Sequence, residues 1–135
     1  MEKDIVKDTV FLSQPSLMAT RADREVIQDL KDTLKAHPDC LGMAANMIGV
    51  SKRIIIVRVG KKEMIMVNPM ITKKTFPFEA RESCLSLDGW RTTTRYQEIE
   101  VQYQDDKFRK KKTRVKGLIA QIIQHETDHL EGILI

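Results

Sequence analysis

Hydrophobic positions in this chain follow a helical period near both ends and a strand-like pattern between them. From Asp23 to Ala36 (DREVIQDLKDTLKA), Val26, Ile27, Leu30 and Leu34 recur at helical spacing, which predicts an amphipathic helix. His37-Pro38-Asp39 stops it. RIIIVRV (Arg53 to Val59) is short and β-branched, so it reads as a strand. Gly60-Lys61-Lys62 turns it into a second strand, Met64 to Val67, expected to end at Asn68-Pro69. Two further strands are expected at Glu98 to Tyr103 and Phe108 to Val115, joined by a hairpin turn at Asp105-Asp106-Lys107. Gly117 then opens a last helix, GLIAQIIQHETDHL, which carries Leu118, Ile122 and Leu130 and ends near Gly132. Strands in the middle and helices at the ends predict an α+β fold, a mostly antiparallel sheet wrapped around the C-terminal helix.

No repeat, linker or compositional break divides the sequence, so residues 1–135 are expected to form a single domain. Hydrophobic residues make up 41% and charged residues 31%, an ordinary globular balance. Only 5% are aromatic, so the core must be built from Leu, Ile, Val and Met. The opening MEKDIVKDTV lacks the apolar stretch of a secretory signal. No apolar run nears the roughly 20 residues needed to span a bilayer, and no membrane partner is expected. Two cysteines without a leader point to a reducing, cytoplasmic setting. Each cysteine therefore needs its own explanation.

Chemistry concentrates near the C-terminus. His125-Glu126-Thr127-Asp128-His129 is an H-E-x-x-H pattern. On a helix its two imidazoles lie one turn apart on one face and can reach the same ion, while Glu126 stays free to move protons. A catalytic ion takes three protein ligands and keeps one position open. Cys84 is the best third candidate, because Glu82-Ser83-Cys84-Leu85-Ser86 reads as a polar loop rather than an apolar run. Taken alone, a single cysteine is more readily a small core hydrophobe. A Cys/His/His set suits iron(II) as well as zinc. Cys40, beside Leu41-Gly42, reads as packing.

Three ordered segments then resemble the peptide deformylase family: CLGMAANMIGV (Cys40 to Val50), ESCLS (Glu82 to Ser86) and QHETDHLEGIL (Gln124 to Leu134). The likeness covers nearly the whole chain. It implies a metal-dependent hydrolase of protein biosynthesis that removes the N-formyl group from the initiator methionine of nascent polypeptides and releases formate. It also implies that Cys84, His125 and His129 hold the metal, with Glu126 as general acid/base and the Leu85 backbone amide as a donor to the developing oxyanion. Leu41 and Gly42 fall where the family pairs with the substrate backbone, and Arg91 where it contacts the peptide further out. The resemblance implies Fe2+ as the native ion, with Zn2+ or Ni2+ tolerated. Its implied partners are N-formylmethionyl peptides and the ribosome near the exit tunnel, with no specific nucleic-acid sequence.

The sequence departs from the family pattern at Met47, where the family places a glutamine whose side-chain amide is the second oxyanion donor. Methionine donates nothing, so reduced turnover is expected. The family's glycines are Cys40 in the first motif and Ser83 in the second; the Ser83 hydroxyl adds a group near the metal. The sequence runs only three residues past Gly132, so a C-terminal extension like that of longer members is not expected. Lys107 to Lys116 (KFRKKKTRVK) is basic enough for RNA contact, but its alternation with Phe108, Thr113 and Val115 is also that of a solvated hairpin, the reading preferred at this point. Trp90 either lines the substrate cleft or simply packs. The main alternative function is a deformylase-like protein that binds acylated N-termini without useful turnover. A conventional metallopeptidase is a third reading, weakened by the cysteine ligand.

Overall fold

The computed structural model describes all 135 residues. In chain order it contains helix α1 (Thr9–Leu12), helix α2 (Arg24–Ala36), strands β1 (Gly42–Ala44), β2 (Ile54–Val59), β3 (Lys62–Cys84), β4 (Leu87–Gln104) and β5 (Lys110–Lys116), and helix α3 (Leu118–Leu130). The five strands form one sheet in the order β1-β2-β3-β4-β5, and every neighbouring pair is antiparallel. The expected α+β architecture is therefore present, with α3 packed on β1, β2 and β4. No helix is long and apolar enough to cross a membrane.

Local chemistry explains the helix limits. Thr20 and Asp23 form a reciprocal cap on the short 3-10 turn that leads into α2: the Thr20 hydroxyl accepts from the Ala22 amide and Asp23 accepts from the Thr20 amide. Ile27, Leu30 and Leu34 of α2 are buried, on the stripe that the sequence period predicts. They join Ile54, Ile55, Ile56 and Val57 of β2 and Ile123 and Leu130 of α3 in one aliphatic core.

Two expectations need correction. The strand expected from Met64 does not end at Asn68-Pro69 but runs on to Cys84, 23 residues in all from Lys62. Asn68 takes a left-handed φ of 51° at a register shift between Val67 and Met70, so the pair marks a bulge. Proline tolerates that position because the bulge asks for no ladder donor. The Asn68 side chain accepts from the Ala19 amide and donates to the Ala19 carbonyl, tying the N-terminal segment to the bend. Cys84 also does not lie in a loop. It is the last residue of β3 and pairs with Leu87 across a two-residue turn.

Helix α3 buries polar side chains along with apolar ones, and outside the metal cluster hydrogen bonds offset the cost. Gln124 accepts from the Tyr96 amide and donates to the Tyr96 carbonyl at 2.9 and 2.8 Å, bolting the helix to β4. Asn46 donates to the His129 carbonyl at 2.8 Å and fixes the other end.

Candidate metal centre

His125 and His129 share the inner face of α3 because four residues make about one turn. Their Nε2 atoms stand 3.2 Å apart, and the rings are inclined at 57° so that both nitrogens point to one spot. The end of β3 brings Cys84 to the same spot: its sulfur and the two imidazole nitrogens lie within 4.8 Å of one another. Small rotations would let one ion at about 2.0–2.3 Å touch all three.

Glu82, two residues before Cys84, reaches the same helix. Its carboxylate accepts from His125 Nδ1 at 2.7 Å, which leaves Nε2 as the free ligand nitrogen. Arg95 donates to Glu82 through both Nε and Nη2 and to Asp128 through Nη1, and Gln121 donates to Glu82 Oε2 at 2.7 Å. Burial alone would raise the Glu82 pKa, but the bonds from His125, Arg95 and Gln121 outweigh it and hold the carboxyl at about 2. This charged cluster therefore keeps its anion where His125 needs it.

Burial also opposes charge on His125, yet its hydrogen bonds to Cys84 and Glu82 push it up to about 10, so without an ion a proton holds the Nε2 position that a metal would take. Burial, then the His125 charge, takes His129 down to about 3, so its lone pair is available. A buried thiol–imidazole–imidazole set flanked by two carboxylates favours positive charge, and its donors fit a divalent ion of the iron, nickel or zinc type. Glu126 is 4% exposed, and one of its oxygens has no partner. Burial raises its carboxyl to about 7, close to the working range of a general acid/base near neutral pH.

A cleft of about 440 Å³ opens onto this cluster, with Leu41, Gly42, Met47, Leu85, Trp90 and Leu118 among its walls. Met47 is buried, and its sulfur takes a hydrogen bond from the Ala44 amide at 3.4 Å, so the side chain accepts here and donates nothing. The Leu85 amide makes no backbone hydrogen bond in the turn after Cys84. Gly42 lies on β1, an edge strand, where a Cβ would come within 2.7 Å of Ile122 Cγ2 and 3.2 Å of Glu126 Oε2. Arg91 is not a wall of the cleft: Nη1 donates to the Asp88 carbonyl, while Nε and Nη2 are buried without partners. Trp90 does line the cleft, with the Arg81 guanidinium 5.8 Å from its ring centroid. Cys40 packs against the core and also lines the cleft. Its thiol donates to the Gly42 carbonyl, and burial, then Glu126, pushes its pKa up to about 11.

Sequence reasoning missed Arg95, Asp128 and Gln121, and gave Glu82 no role. Asp128 sits inside the H-E-x-x-H segment, so its spacing was a usable signal. Arg95 carried none, being one arginine among many in a charged strand.

A family model described as polypeptide deformylase matches residues 6–135. The peptide deformylase of Clostridium beijerinckii is 57% identical over 136 residues, covering 100% of both chains. That of Pelagibacter ubique is 38% identical, covering 91% of this chain and 75% of its own. The crystal structure of a peptide deformylase from Legionella pneumophila superposes with a TM-score of 0.90 at 27% identity, covering 99% of this chain and 83% of that one. A deformylase from Synechococcus elongatus in complex with actinonin gives a TM-score of 0.88 at 30% identity, covering 98% and 75%. With this fold, this cluster and these relatives, the chain belongs to the polypeptide deformylase family, metal-dependent enzymes that act on formylmethionyl nascent peptides.

Proposed function

We propose that the enzyme deformylates through an ion held by Cys84, His125 and His129, with Glu126 carrying the protons. The observation that supports this best is the convergence of one thiol and two imidazole nitrogens within 4.8 Å, beside a buried carboxyl with an unpartnered oxygen. A bound divalent ion supplies Lewis acidity and brings the pKa of water towards about 7. Glu126 takes the proton of the attacking water and returns it to the departing amine nitrogen as the formyl C–N bond breaks, leaving formate and a free N-terminus. Charge that builds on the formyl oxygen meets the unpaired Leu85 N–H. Leu41 and the edge of β1 at Gly42 would align the peptide, and Arg91 would act further along it. The methionine side chain would fill the cleft beside Leu118 and Trp90.

The donor set fits iron(II), and we assign that as the native ion, with zinc or nickel as substitutes. Because the substrate is a nascent chain, we place the enzyme in the cytoplasm, working at the ribosome near the exit tunnel without reading any nucleic-acid sequence.

Met47 favours slow turnover, because an oxyanion donor is worth about 10²–10³ in kcat. It also supports the second reading, a protein that grips acylated N-termini without useful catalysis. Iron-loaded protein is assayed anaerobically for formate release from a formyl-Met tripeptide, beside Met47→Gln and Glu126→Ala. Release above the Glu126→Ala level, with a gain of about 10²-fold on Met47→Gln, supports the enzyme with a weakened oxyanion site. If neither the parent nor Met47→Gln exceeds Glu126→Ala, the catalytic reading fails.

A further inference from the structure

The basic segment Lys107 to Lys116 takes no part in the site. Seven of its ten residues are Lys or Arg and none is acidic. The chain has 23 basic and 19 acidic residues, so the other 125 residues hold 16 against 19. The net positive charge of the molecule therefore resides in this one segment, which folds as the turn after β4 and the edge strand β5.

Lys110, Lys112, Arg114 and Lys116 occupy alternate positions of β5, so they project to one side at intervals of about 6.8 Å. All four are exposed, whereas Thr113 and Val115 turn towards the core side and are half-buried. Glu98 and Glu100 of β4 stand beside Lys116 and Arg114, and Lys73 of β3 stands across from Glu100. A shallow groove runs among these five residues. Only Arg109 and Lys112 have a carboxylate partner, Asp105 at 3.0 Å and Glu100 at 3.3 Å. Lys107, Lys110, Lys111, Arg114 and Lys116 have none. An edge strand uses a lysine or two to deter pairing with another sheet. Five cations without an ion-pair partner in ten residues exceed that need; Glu98 and Glu100 offset only the Arg114 and Lys116 end of the row, and the remaining repulsion is what an external line of negative charge would relieve.

We propose that this edge is a docking surface for the phosphodiester backbone of folded RNA. A row of evenly spaced cations matches a line of phosphates better than it matches a point anion. Phe108, the segment's one aromatic residue, is half-buried beneath the Arg21 guanidinium, 5.8 Å from its ring centroid. It cannot stack on a base, so the contact reads backbone and not sequence. β5 presents no exposed apolar side chain of the kind that seats a protein in a lipid surface. The choice of RNA over other polyanions rests on the deformylase reading, since nascent peptides emerge from an RNA-rich particle.

The test uses full-length protein, a labelled RNA hairpin, a DNA hairpin of matching sequence and anionic phosphatidylglycerol vesicles. Lys110→Gln/Arg114→Gln/Lys116→Gln is compared with Lys7→Gln/Lys61→Gln/Lys62→Gln, which removes the same charge elsewhere on the exposed surface. RNA binding should weaken about tenfold or more in the β5 variant, and the slope of log K against log salt should fall by about one per cation removed. The control variant should match the parent. Both variants should release formate from a free formyl-Met peptide at the parental rate, which also shows that they fold. Equal losses in the two variants, tighter binding to DNA than to RNA, or binding to vesicles but not to RNA would each overturn the proposal. RNA binding without formate release would leave it standing while the deformylase reading fell; formate release without RNA binding would do the reverse.

Discussion

At Glu82, one carboxylate answers to three partners, and its effect on the proposed ligand His125 can be measured apart from catalysis. Glu82→Gln keeps the shape but removes the charge that faces His125 Nδ1 at 2.7 Å. Changes of this kind next to a metal ligand typically cost about 10–100-fold in metal affinity. Competition against a chromogenic chelator should show a loss in that range, with Arg95 still paired to Asp128. Unchanged affinity would mean that Glu82 serves Arg95 alone. The two histidines and Glu126 were legible in the sequence because four-residue spacing on a helix is a local property. Glu82 was not, since its partner lies 43 residues away and only the folded sheet brings them together. Arg95 was hidden for the same reason, and an arginine in a charged strand ordinarily faces water.

At the scale of elements, the hairpin of β3 and β4 was only half visible. The ends remote from its turn, Met64 to Val67 and Glu98 to Tyr103, read as strands in the sequence, but Asn68-Pro69 has the chemistry of a stop, and only pairing with β4 turns it into a bulge. The two long helices fared better because their apolar period is local and His37-Pro38 and Gly132 mark their ends in the sequence, whereas the four-residue α1 is too short to show a period. The close crossing of β1 on α3 depends on Gly42. A Cβ there would meet Ile122 Cγ2 at 2.7 Å and the Ile56 carbonyl at 3.1 Å. Gly42→Ala should therefore destabilise the fold by about 1–3 kcal/mol, as overpacked sites do, and should lower deformylation by shifting β1 away from Glu126. Denaturant titration alongside steady-state assays would reveal both; parental values in each would show that Ile122 yields freely.

Over the whole molecule, the proposed ligands come from the end of β3 and the C-terminal half of α3, so an ion would link the sheet to the helix that it wraps. An ion that binds only the folded chain at 100 times its Kd adds about 2.7 kcal/mol, on the order of 10 °C in Tm for a domain of this size. Stripping the metal with a chelator should lower Tm by that order in scanning calorimetry. Cys84→Ser should abolish most of this sensitivity, whereas Cys40→Ser, outside the convergent set, should keep it. A chelator-indifferent parent would remove the ion from the account of stability.

The two-residue turn after Cys84 has one more consequence. Leu85 sits between two long strands whose amides are locked into ladders, yet its own N–H makes no backbone bond. In deuterium exchange it should be a fast-labelling amide set among slow ones. A bound hydroxamate or other mimic of the tetrahedral state, by accepting from that N–H, should slow its exchange selectively. The oxyanion site would then be visible as a protection factor at one residue, without any turnover at all.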